Sequence, residues 1–376
     1  MTRSFVCAGL SIGILLGLGL AAQAPTAEPQ TKVVMTGLDN PRGLAFGPEG
    51  ALYVVEAGRG GTGPCATVRG MWVCYGATGA LTRLWHHSQQ RVATGLPSYI
   101  SPTSEVTGAH DVAFQGRSGA AYLTIGFAGD PATRLTTGFG SLGALFGTLV
   151  RVAPGARGLD FDDDDWWSFF GRLHDQRARR WRVVTDIAAY ETAVNPAGGP
   201  FDSNPFGILA QPGAHIVTDA GGNALLRISA LGEISTLATF PSRPARTTDA
   251  VPTEVVVGPD GAYYVSELTG APFAAGAARV YRVVPCNEPE VFRDGFKTVI
   301  DLDFGPDGSL YVLEHATGIA FSGPGDVIRV APDGSRSVVV SGLTRPTSLL
   351  VDDDGTIYVT NNGVSIGTGQ VLRIEP

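Results

Sequence analysis

The sequence is short of charge, of cysteine and of long apolar runs. Only 16% of its 376 residues are Asp, Glu, Lys or Arg, and acids outnumber bases 35 to 27. An acidic chain repels phosphate backbones, which argues against nucleic acid as a partner. Four cysteines and six scattered histidines offer no zinc-type spacing. No Gly-x-Ser-x-Gly, no Walker loop, no dinucleotide fingerprint and no sustained heptad occurs. Beyond the N-terminus nothing is long and apolar enough to span a bilayer, so the chain is not expected to cross a membrane.

The N-terminus itself reads as a secretory signal. Arg3 supplies the positive start, Phe5 to Leu20 the apolar run, and Ala22-Gln23-Ala24 a small-x-small cleavage pattern. Residues 1–24 are therefore set apart from a single domain over 25–376, and the product is expected to be secreted or periplasmic. In an oxidising compartment Cys65 and Cys74, within one Gly-rich loop, are expected to form a disulfide. Cys286, after the strand-like run 280–284, reads as a buried lone thiol.

What the chain has in abundance is glycine, 51 residues, and proline, 25, between many short β-branched runs. That describes an all-β domain built on tight turns. Self-similarity makes it specific. PRGLAFGPEGALYVVE (41–56), PTEVVVGPDGAYYVSE (252–267), VIDLDFGPDGSLYVLE (299–314) and PTSLLVDDDGTIYVTN (346–361) repeat one strand–turn–strand unit. Two further copies run through AHDVAF and AAYLTIG (109–126) and through NPFGILAQPGAHIVTD (204–219). Each is followed by a strand ending in Arg and aliphatics and then by a fourth strand. Six copies of four strands predict a six-bladed β-propeller. The chain ends on the third strand of a blade, so Lys32 to Leu38 is expected to supply the fourth and close the ring. The Gly-Pro-Asp-Gly segments are turn chemistry and lack the acid spacing of a calcium loop.

Loop length distinguishes the two faces. Strands one and three begin on one face, here called the top, and the long insertions 57–79, 97–108, 126–147, 188–203, 241–251, 268–278 and 315–325 fall there. Loops longer than a scaffold needs usually carry binding, so the top face is the expected site for a small molecule, glycan or protein. Near the start of strand one the copies place Gly43, Asp111, Gly207, Glu254, Asp301 and Ser348 around the axis. Three carboxylates meeting there would repel one another, which points to a Ca²⁺ or Mg²⁺ ion held by Asp111, Glu254 and Asp301. The competing reading has each acid bound to free backbone N–H groups of the adjoining blade. A second ring, Glu56, Ile125, Asp219, Glu267, Glu314 and Asn361, recurs so regularly that it reads as part of the blade's hydrogen-bonding plan.

His110 and His315 stand at strand ends on the top face, where an imidazole can act as general base. Neighbours in a strand point opposite ways, so neither is expected to pair with the acid beside it. An insertion over 155–181 breaks the rule of short bottom loops. Its run Asp162–Asp165, then Trp166, Phe169, Phe170 and Leu173, then Arg177, Arg179 and Arg180, reads as a surface helix on the bottom face.

Several segments together resemble one family: NPRGLAFGPEGALYVVEAG (40–58), GAHDVAF (108–114), TIGFAGDPATR (124–134), DIAAYETAVNP (186–196), DSNPFGILA (202–210) and TDAGGNALLRIS (218–229). They look like the ScyD/ScyE family of exported bacterial proteins. The resemblance implies an exported propeller of the broad group that includes NHL-repeat and lactonase-like proteins, and implies no particular reaction. Metal-dependent lactonases of that group carry a glutamate on the first strand of blade one, where this chain has Gly43. Two functions stay open: a binding propeller, and a metal-dependent hydrolase or lyase in which His110 or His315 moves protons. A quinone-dependent sugar dehydrogenase would need a His and Arg set around its cofactor, and no such motif is visible.

Overall fold

The computed structural model describes residues 30–103, 105–116, 119–136, 138–152, 181–241 and 248–375. The signal and nearly all of the 155–181 insertion lie outside the described residues. The rest is six antiparallel sheets, one per repeat, arranged as a six-bladed propeller. In blade 4 the order is Pro252–Val257, Tyr263–Glu267, Ala278–Val283 and Glu290–Phe296, from the axis outwards. The second strands are covered on both faces by neighbouring blades. Leu52–Glu56 and Leu310–Glu314 are accordingly buried at every position, and such strands read as continuous apolar runs rather than alternating ones.

The turns behave as glycine chemistry requires. Gly50 takes φ +81° while Gly47 N–H donates to the Ala51 carbonyl, and Gly261, Gly308 and Gly355 repeat the geometry. Strand Gln30–Leu38 pairs antiparallel with Gly369–Glu375, running from Gln30 opposite Glu375 to Leu38 opposite Gly369. It is the outer strand of blade 6, so the N-terminal strand closes the ring. Met35 and Leu38 are buried by that pairing, whereas Val33 is 44% exposed.

Blade 1 carries an addition. Its third strand extends over Met71–Trp85, and Cys65–Val68 pairs with it so that Cys65 faces Cys74 in a disulfide. Cys286 is free and exposed, not buried as the sequence suggested. It sits just past the strand end at φ +69°, in a turn rather than in the sheet. Within the long top-face loop after blade 2 the chain forms a short helix, Ile187–Val194. Asp186 caps it by accepting from Ala189 N–H, and Asn195 ends it in the left-handed region.

One irregularity recurs. In five blades the pairing of the innermost strand with the second shifts register, at Pro41/Leu44, Ala109/Asp111, Pro205/Ile208, Pro252/Val255 and Val299/Asp301. A bulge bends the strand and re-aims side chains. These shifts all lie at the top of the channel.

Candidate functional site

The bulges decide where the axis residues go. His110 Nδ1 lies 3.0 Å from the Pro205 carbonyl, and Asp111 Oδ2 accepts from Ile208 N–H at 2.8 Å. Both neighbours therefore reach the innermost strand of the next blade, contrary to simple alternation. His315 repeats the arrangement, with Nδ1 2.8 Å from the Pro346 carbonyl. A carbonyl can only accept, so each Nδ1 carries the proton and each Nε2 keeps its lone pair. Burial, reinforced by the charge of Arg42, lowers His110 to about 3. Burial and the charges of Arg345 and Arg42 lower His315 to about 4. Both imidazoles are neutral at physiological pH, and neither bonds to the acid beside it in sequence.

The charges that add to burial in holding them neutral belong to two arginines that no sequence motif marks. Arg42, in the bulge of blade 1, is buried beneath the mouth, donating to the carbonyls of Gly363, Pro41 and Val106. Its burial brings even a guanidinium down to about 10. Arg345 Nη1 stands 3.5 Å from His315 Nε2 and its guanidinium lies 5.9 Å from the Phe321 ring. Phe206 packs on His110 at 4.6 Å, and Phe273 on Phe321 at 4.0 Å. Asn204 Oδ1 is buried without a protein partner. It borders the same space as His110, since a Cβ at Gly126 would meet Asn204 Oδ1 at 2.4 Å and His110 Cε1 at 2.2 Å. A His and Arg set with no local motif is thus assembled from blades 1, 2, 5 and 6.

Below the mouth lie the carboxylates. Asp301 accepts from Leu302 N–H and from Leu349 N–H of blade 6, and Glu254 Oε1 accepts from Val255 N–H. Burial pushes Asp111 up to about 7 and raises Glu254 and Asp301 well above the usual carboxylate range, with mutual repulsion adding to the last two. The glycines alternate with the acids for a steric reason. A Cβ at Gly43 would stand 1.9 Å from Asp111 Oδ1, and one at Gly207 2.9 Å from Glu254 Oε1. Among the described residues no group of three or more His, Cys, Asp or Glu is arranged to hold a metal ion. With oxygens of all three acids engaged by backbone N–H groups, the arrangement fits shared protons better than an oxygen cage for Ca²⁺ or Mg²⁺.

The second ring does what its regularity suggested. Glu56, Asp219, Glu314 and Asn361 accept from the backbone N–H of Asp39, Asn204, Lys297 and Thr344, where the chain enters each blade. Beside Asp219, Glu191 from the short helix is buried, and desolvation with the charges of Asp219 and Asp202 raises it to about 7.

No protein-family model matches the chain, and no curated protein matches it significantly. Solved structures do match. A putative oxidoreductase (glucose dehydrogenase) from Thermus thermophilus is 18% identical, with 92% of this chain and 99% of that one covered and a TM-score of 0.51. A protein of unknown function from Bacteroides thetaiotaomicron is 9% identical, covering 92% and 76%, with a TM-score of 0.52. A luciferin-regenerating enzyme is 9% identical, covering 93% and 95%, with a TM-score of 0.51. These neighbours are propeller proteins, and at such identity the likeness is one of fold alone.

Proposed function

We propose that this is an exported propeller of the ScyD/ScyE type that binds a small anionic molecule at the top mouth of its channel. The observation that carries the reading is the meeting of two guanidiniums, Arg42 and Arg345, with two imidazoles held neutral by burial, His110 and His315. Arg345 presents guanidinium donors suited to a carboxylate or phosphate, while Arg42, its donors engaged by carbonyls, adds its charge from below. The His110 Nε2 lone pair accepts from a ligand hydroxyl, Asn204 Oδ1 adds a further acceptor, and Phe206 and Phe321 give the ring or chain of the ligand an apolar wall. Mass spectrometry of untreated protein, followed by thermal-shift measurements on a panel of hydroxy acids, sugar acids and sugar phosphates, tests it. Stabilisation by an anionic member is expected, and its loss in Arg345→Ala. No stabilisation by any member, or equal stabilisation of that variant, refutes the reading.

The second reading is a hydrolase or lyase at the same mouth. It is favoured by the His315–Arg345 contact, because a substrate anion held by Arg345 would offset the cationic charge that depresses the imidazole and so restore its basicity. A metal-dependent version would place Ca²⁺ or Mg²⁺ among Asp111, Glu254 and Asp301. Turnover on a lactone and ester panel that vanishes with EDTA and returns with Ca²⁺ would select that version.

A further inference from the structure

A second concave site lies on the opposite face, at the seam where the chain's two ends meet blade 1. It is a cleft of about 560 Å³, a size typical of small-ligand sites. Its floor is apolar and aromatic: Phe46 meets Tyr358 edge to face at 5.4 Å, with Leu52 and Leu84 beside them. Its rim carries Lys32, Arg373, His86 and His87, and none of the lining residues is acidic. In a chain with a net charge of −8, a lining whose charged side chains are all basic runs against the overall field. Arg373 bonds to both Tyr358 and Glu375, which fixes its guanidinium beside the aromatic floor, and two partners still leave some of its five N–H groups for a ligand.

The turn at the rim is itself costly. His86 and His87 both take positive φ, 46° and 65°, where hairpins ordinarily use Asn or Gly. Each such residue costs on the order of 1 kcal/mol, and the tilted ring contact of Trp85 with His86 at 4.2 Å offsets part of that. Two imidazoles and an indole are thereby presented side by side at the edge of the cleft.

We infer that this cleft is a binding site for a small planar aromatic carboxylate. The ring packs against Trp85 and Tyr358, and the carboxylate meets Arg373 and Lys32. The site is separate from the channel mouth, being built from the bottom turns of blades 6 and 1.

The test uses the full chain with 1-naphthoate as probe and 1-naphthylmethanol as its neutral counterpart, followed by calorimetry and saturation-transfer NMR. Binding of naphthoate is expected to weaken roughly tenfold or more in Arg373→Ala, the worth of a charge-assisted hydrogen bond. It should weaken likewise in Trp85→Leu, and stay unchanged in Leu231→Ala, an exposed side chain on a turn of blade 3 away from both sites. Circular dichroism on each variant shows that the fold is kept, and Lys32→Glu, on an exposed side chain, provides a second charge test if Arg373→Ala does not fold. Absence of binding at millimolar naphthoate, equal binding of the neutral alcohol, or loss of binding only in Arg345→Ala would each overturn the assignment.

Discussion

Replacing Asp111 by Asn tests whether the channel acids are held by protons. Asparagine keeps an oxygen where Asp111 Oδ2 accepts from Ile208 N–H, so the bond between blades 2 and 3 survives. What changes is the ionisation. Burial lifts Asp111 from its ordinary 3.8 to about 7, so between those values the folded state holds a proton that the unfolded chain has released. Stability then falls as pH rises across that window, by about 1.4 kcal/mol per unit, or roughly 4 kcal/mol in all. Asparagine carries no such penalty. Asp111→Asn should be close to neutral near pH 4 and stabilising by up to about 4 kcal/mol at pH 8. Urea unfolding of both proteins at several pH values, with and without EDTA, measures the difference. A ΔΔG that is the same at all pH values, or a loss of stability that grows with pH, refutes the reasoning. If that loss disappeared in EDTA, a cation bound by Asp111, Glu254 and Asp301 would be its cause.

Other outcomes follow from the same geometry. Leu38→Ala, in the closing strand, should cost about 2–5 kcal/mol in chemical denaturation, while Val33→Ala in the same strand should change stability by less than about 0.5 kcal/mol. The Cε1 proton resonances of His110 and His315 should not titrate between pH 5 and 8, and an apparent pKa near 6.5 for either would contradict their burial as neutral staples. Gly43→Ala should prevent folding or yield insoluble protein, because the new Cβ would lie 2.6 Å from the Asp111 backbone; Gly37→Ala, with open space but φ +71°, should cost only about 1 kcal/mol.

The propeller was legible because the repeat states it six times, and because a chain ending on a third strand demands a fourth from elsewhere. The residues around the axis were legible too, since symmetry alone places Asp111, Glu254 and Asp301. Their bonding was not. Period-two alternation sends His110 and Asp111 to opposite faces, and the bulge at Ala109/Asp111 sends both to blade 3. Arg42 lies in a Pro-Arg-Gly sequence that looks like a turn, and Arg345 in a loop, so neither advertised a site. Only closure of the ring brings the first and last blades together around them. Cys286 was misplaced by extending the buried strand Ala278–Val283 past its end. The helix Ile187–Val194 is only 8 residues long, too short for periodicity to announce.

Along the innermost strands a run of bonds between blades points one way around the ring. Asp111 reaches forward to Ile208, Thr218 to the Thr253 carbonyl, Thr253 to the Val299 carbonyl, Asp301 to Leu349, and Ser348 to Leu44. The last of these crosses from blade 6 to blade 1, where the peptide chain starts and stops, and there it is the same kind of bond as elsewhere. The ring thus does not register which blade is translated first. A circularly permuted gene, joined across the Gln30–Leu38 strand and opened at another seam, should encode the same closed object, with the order of blades along the chain left as an accident of where the reading frame begins.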